Sequence, residues 1–117
     1  MNESPLNANQ INLIDQLNLS TIEKHHLRLL GHCLESFKRM SKGDSYNRIP
    51  SRQQQFDWCA SNPKLSKDRE FIPILLNQFT AAAVHLEELA SIKRISPLDL
   101  TLDDLIADAL SRSEQGD

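Results

Sequence analysis

Apolar positions recur along most of this chain at helical spacing, and the runs are separated by residues that start or stop helices. Ile11, Leu13, Ile14, Leu17 and Leu19 predict a short first helix ending near Asn18. Ser20-Thr21-Ile22-Glu23 then reads as a capping box, in which the Ser20 hydroxyl and the Glu23 carboxylate each satisfy an orphan backbone N–H. Behind it, Ile22, His26, Leu29, Leu30, Cys33, Leu34, Phe37 and Met40 trace one face of a long helix, and Ser41-Lys42-Gly43-Asp44 supplies the stop. Lys42 to Pro50 carries Gly43, Asp44, Ser45, Asn47 and Pro50 and reads as a surface loop.

A second box, Ser51-Arg52-Gln53-Gln54, opens a short helix through Phe56, Trp58, Cys59 and Ala60, which Asn62-Pro63 ends. The longest pattern follows, with Pro73 placed in the first turn of a helix starting near Glu70 and running to about Arg94. Phe71, Leu75, Phe79, Ala82, Ala83, Leu86, Leu89, Ala90 and Lys93 mark its main face, which Ile72 and Leu76 widen on one side and Ile74 and Ile92 on the other. Ser96-Pro97 breaks the chain. Thr101-Leu102-Asp103-Asp104 caps a last helix that turns Leu102, Leu105, Ile106, Ala109 and Leu110 inward.

No run alternates apolar with polar long enough for a hairpin, so the expected fold is all-α, a compact bundle of about five helices, two long and three short. The 117 residues suit one domain, 1–117, with 1–9 and 112–117 expected to fray. No stretch approaches the roughly 20 apolar residues of a membrane span, and no secretory signal is visible at Met1 to Pro5. A cytoplasmic protein with reduced thiols is the expectation. The net charge of −3 hides an asymmetry. Lys24, Arg28, Lys38, Arg39, Lys42, Arg48 and Arg52 make residues 21–55 basic, whereas Glu87, Glu88, Asp99, Asp103, Asp104, Asp108, Glu114 and Asp117 make 87–117 acidic. The two halves can complement each other within one chain or between two.

The histidines and cysteines invite a metal or thiol reading. His26 and Cys33 are two turns apart, about 10 Å along one helix, too far for a single zinc whose bonds are about 2.0–2.3 Å. Cys59 or His85 would have to join them from other helices, and no CxxC, HxxxH or CxxH spacing is present. Glu23-Lys24-His25-His26 contains Glu-x-x-His, but a di-iron bundle needs that motif twice, and His85 has Ala82 three residues before it. His85-Leu86-Glu87-Glu88-Leu89 likewise lacks the second histidine of a zinc-protease helix. There is no Gly-rich nucleophile turn, phosphate loop or dinucleotide fingerprint. The expectation is therefore no catalytic residue, no metal and no cofactor, with His26, Cys33 and Cys59 as core residues.

A basic segment carries the better functional reading. Lys38, Arg39, Lys42, Arg48 and Arg52 surround Tyr46, a combination suited to an acidic protein partner. Nucleic acid or a phosphorylated ligand at the same segment is the alternative, although the mildly acidic whole does not favour it. The loop is also too long for a helix-turn-helix. Ala81-Ala82-Ala83 permits close approach of another helix, and Trp58 is either a core plug or an exposed anchor. Two long helices with wide apolar faces carry more apolar surface than five elements readily cover, which points to a homodimer. The chain thus reads as a non-enzymatic interaction or regulatory module with a protein partner and no membrane. A metal- or thiol-dependent enzyme or sensor built on His26, Cys33, Cys59 and His85 is the third alternative.

Overall fold

Four-residue capping motifs set where most of the helices begin. The computed structural model describes residues 6–41, 48–63 and 70–115, with side chains to Ser113. It contains α1 (Ala8–Asp15), α2 (Thr21–Met40), α3 (Arg52–Ser61), α4 (Phe71–Lys93), a 3₁₀ turn (Pro97–Asp99) and α5 (Leu102–Gln115). Among the described residues there is no strand. The expected all-α bundle of five helices, two long and three short, is what forms.

Glu23 N–H donates to Ser20 Oγ at 3.1 Å and Ser20 N–H to Glu23 Oε1 at 3.2 Å, closing the box that opens α2. Ser51 and Gln54 do the same for α3. Thr101 and Asp104 do it for α5, and their bonds hold the Asp104 carboxyl below its ordinary range. A fourth box, Asn7 with Gln10, opens α1 earlier than the apolar spacing indicates. The helix also ends earlier, at Asp15, and the chain turns through Gln16 to Leu19 with Leu17 N–H on the Ile14 carbonyl. Ahead of α1, Leu6 is 1 % exposed and lies over Gly31, where an added Cβ would stand 3.2 Å from its Cδ1. Residues 112–115 also belong to α5. Of the expected loop, residues 42–47 lie outside the described residues.

α2 is the central element and touches every other helix as well as the 3₁₀ turn. Leu27, Leu30, Cys33, Leu34 and Phe37 from α2 meet Phe79, Leu86 and Leu89 from α4 and Leu105 from α5 in one core, capped by Leu98 and Leu100. Phe37 and Phe79 pack with ring centroids 5.2 Å apart, and Trp58 stands 6.4 Å edge-on to Phe79. Trp58 thus serves the core. Polar ties fasten the periphery. Lys24 Nζ donates to the Asp15 carbonyl at the end of α1 (2.6 Å), and Arg28 pairs with the Asp15 carboxylate at 2.7 Å.

α4 ends in a Schellman motif: Ile95 N–H bonds the Ala90 carbonyl and Arg94 N–H the Ser91 carbonyl, with Arg94 left-handed at φ 62. Lys93 Nζ then reaches Asp104 Oδ1 at 3.4 Å, tying the end of α4 to the start of α5. No helix among the described residues is long and apolar enough to cross a membrane.

Candidate protein-docking face

The apolar surface of α4 is wider than its packing. Ile72, Leu76, Phe79, Ala82, Leu86, Leu89 and Ala90 are buried, so the expected main face forms in part: Phe71 and Lys93 at its ends are exposed, and Leu75 and Ala83 are half-buried. Its flank is left outside: Ile74 is 53 % exposed, Val84 54 % and Ile92 77 %. Ile74, Gln78, Ala81, His85, Glu88 and Ile92 follow one another at intervals of three or four, which makes a second stripe along α4. α2 adds Ile22, 81 % exposed, and the exposed His26 on the same side.

Three depressions indent this side. One of about 460 Å³ lies between α2 and α4, walled by Leu29, Leu30, Ile74, Ala81 and Ala82. One of about 260 Å³ lies between α2 and α5, walled by Ile22, Leu27, Leu105 and Ala109. The third, also about 260 Å³, lies between α4 and α5 and is bordered by Val84, Leu89 and Ile92. They meet at a polar node. His26 borders the first two, His85 the first and third, and Arg112 the second and third.

Within the node, His85 Nε2 is 3.2 Å from Asp108 Oδ2 and 3.1 Å from Arg112 Nη2, and Arg112 Nη2 is 3.0 Å from the same Asp108 oxygen. The His26 ring stands opposite, its centroid 5.7 Å from that of His85. Partial desolvation of the His26 ring, followed by the positive neighbourhood of His85, Arg112 and His25, lowers its pKa. His26 is therefore not the core histidine that its position in the α2 arc predicts. It sits at the rim, bordering the depressions that α2 forms with α4 and with α5.

Cys33 and Cys59 are buried and free, as core residues should be. Burial pushes the Cys33 thiol up to about 12 and raises that of Cys59, which disfavours the thiolate that a reactive cysteine needs. Among the described residues, no group of three or more His, Cys, Asp or Glu side chains could hold a metal ion.

Four residues of the basic segment lie among the described residues. Lys38 Nζ donates to the Leu100 carbonyl at 2.7 Å and stands 3.6 Å from Glu35, so it braces the connection into α5. Arg52 Nη1 bonds Thr80 Oγ1 on α4 at 2.8 Å. Arg39 and Arg48 are exposed, and the Arg48 carbonyl accepts from Ser41 Oγ. Lys42 and Tyr46 lie outside the described residues. The i, i+4 spacing of Asp108 and Arg112 was the available signal for the node, and Ile74 and Ile92, expected to widen the apolar face of α4, stand on its exposed side.

Bare apolar side chains ringing a compact charged node suit the capture of another protein better than a small-molecule reaction. A family model described as NDH complex assembly factor CRR9 matches residues 6–115. The chain belongs to this family. No curated protein matches it, and no solved structure does. The CRR9 family is described by what its members help to build rather than by a reaction, which agrees with an interaction role at that level.

Proposed function

We propose that the protein is a non-enzymatic assembly factor that docks on a protein component of the NDH complex through the α2/α4/α5 face. The observation that carries this reading is the set of exposed apolar side chains Ile74, Val84 and Ile92 on α4 and Ile22 on α2, set around the His26–His85–Asp108–Arg112 node. Family membership supplies the class of partner. Interfaces of this kind concentrate their energy in a few central apolar and arginine side chains, with a polar rim around them. The burial of both thiols counts against the thiol alternative, since a reactive cysteine needs thiolate character and access. Arg39, exposed at the end of α2, keeps a supporting place as a contact for a carboxylate of the same partner.

A photo-crosslinking residue placed at 74 or 92 in the intact chain, in its native cell, tests the proposal. The expected result is a covalent adduct with an NDH component from both positions and none from position 53 on α3. Adducts from position 39 as well would extend the contact to the basic segment. Adducts with a second copy of this chain, or none with an NDH component, overturn the reading. Ile92→Glu should weaken capture by about tenfold, the effect of losing about 1.4 kcal/mol at an interface.

A further inference from the structure

The three contacts of the node cannot all be satisfied in one protonation state. With its proton on Nδ1, neutral His85 offers a lone pair at Nε2, which accepts the Arg112 N–H but faces Asp108 oxygen to nitrogen with no hydrogen between them. With a proton on Nε2, the ring donates to Asp108 and meets Arg112 donor against donor. Arg112 is charged in either case, so the histidine decides which contact forms.

We propose that His85 is a proton-operated switch for the docking face, acting through Arg112. In the neutral state, Nε2 accepts from Arg112 and holds the guanidinium back against Asp108, which leaves the apolar walls on either side free for the partner. Uptake of one proton from solvent makes Nε2 a donor. The bond to Asp108 becomes charge-assisted, the two cations repel, and Arg112 is released over the depressions it borders. An unpaired guanidinium trapped under an apolar partner is costly, so acidification weakens docking.

The groups around the ring are consistent with this. Asp108 and Arg112 face it from α5 and His26 from α2, Glu88 on α4 borders the same depression as His85, and Glu23 on α2 borders the same depression as Arg112. The same arrangement keeps His26 neutral in the upper part of the histidine range, because desolvation and then its cationic neighbours lower its pKa. Arg112 is then the cation that opposes a protonated His85. The side chains involved are 20 % exposed for His85 and Asp108 and 53 % for Arg112, so protons reach the ring and the guanidinium has room to leave.

The proposal regulates the face inferred above and rests on that reading, so its test has two arms. In the first, the free full chain labelled with ¹⁵N is titrated by NMR from about pH 8 to about pH 5, the span in which histidines change charge. At the upper end, His85 Nε2 should show the shift of a bare ring nitrogen, and the Arg112 side-chain signals should move as the ring titrates. Asp108→Asn should carry the Arg112 transition to lower pH, and backbone amide spectra establish that the variant is folded. A proton on Nε2 at the upper end, or Arg112 signals indifferent to the ring, overturns the switch. In the second arm, the cross-link from position 92 to the NDH component should fall about fivefold or more on acidification, the size of an ordinary coupling between sites. In Arg112→Gln it should change little. An equal fall in both proteins also overturns the switch. The lack of any NDH adduct at either pH overturns the docking reading instead, and the tautomer of His85 still decides the switch.

Discussion

Phe79 holds the place where three helices converge, against Phe37 of α2 and Trp58 of α3. Phe79→Ala should cost about 3–5 kcal/mol, read from urea unfolding, and Trp58 fluorescence should report the loosened core. Acid stability belongs to the histidines first. Desolvation lowers the pKa of both His26 and His32, so the unfolded chain binds protons more readily than the native one. Their contribution is complete above the ordinary histidine value of 6.5 and is lost as pH falls through the folded values. The urea midpoint should therefore decline on acidification below that value, and His26→Gln should flatten part of the decline. Glu23 and Asp104, both lowered, add their loss at more acid pH, below the ordinary carboxylate range. The sequence shows which cysteines are buried, since each lies in a periodic apolar run. It does not show the node. His85 and Asp108 are 23 residues apart on different helices, and only the tertiary fold brings them together.

Every helix but α4 carries its start signal in four consecutive residues, which is why the openings of α2, α3 and α5 are legible without a structure. Asn7 with Gln10 is the same signal placed ahead of the first apolar periodicity, inside a stretch whose polarity reads as a frayed end. Leu6 escapes the sequence for a different reason: its burial depends on the space that Gly31 leaves on α2. The end of α4 carries a cost of its own. Arg94 adopts a left-handed conformation that glycine enters without a Cβ clash, so Arg94→Gly should stabilise the fold by about 1 kcal/mol. A higher urea midpoint with an unchanged slope is the expected reading. The exposed position of Arg94 keeps core packing out of that comparison.

At the scale of the whole molecule, α4 is a two-sided element: one flank closes the core and the other is offered outward. Ile74→Glu and Ile92→Glu should leave unfolding stability within about 0.5 kcal/mol of the starting protein, measured by the same urea series, whatever they do to partner capture. The excess of apolar surface is legible in the sequence as a face too wide for one neighbour. Its position is not, because that depends on where α2 and α5 stop covering it. The central position of α2 has a further consequence during synthesis. Its apolar side is covered by α4 and α5, which belong to residues 71–115. At ribosomal rates of about 5–20 residues per second, a finished α2 waits roughly 4–15 s for the last of its cover to emerge. Through that interval the nascent chain presents a bare stripe of leucine and phenylalanine, the kind of transient apolar surface that chaperones exist to shield.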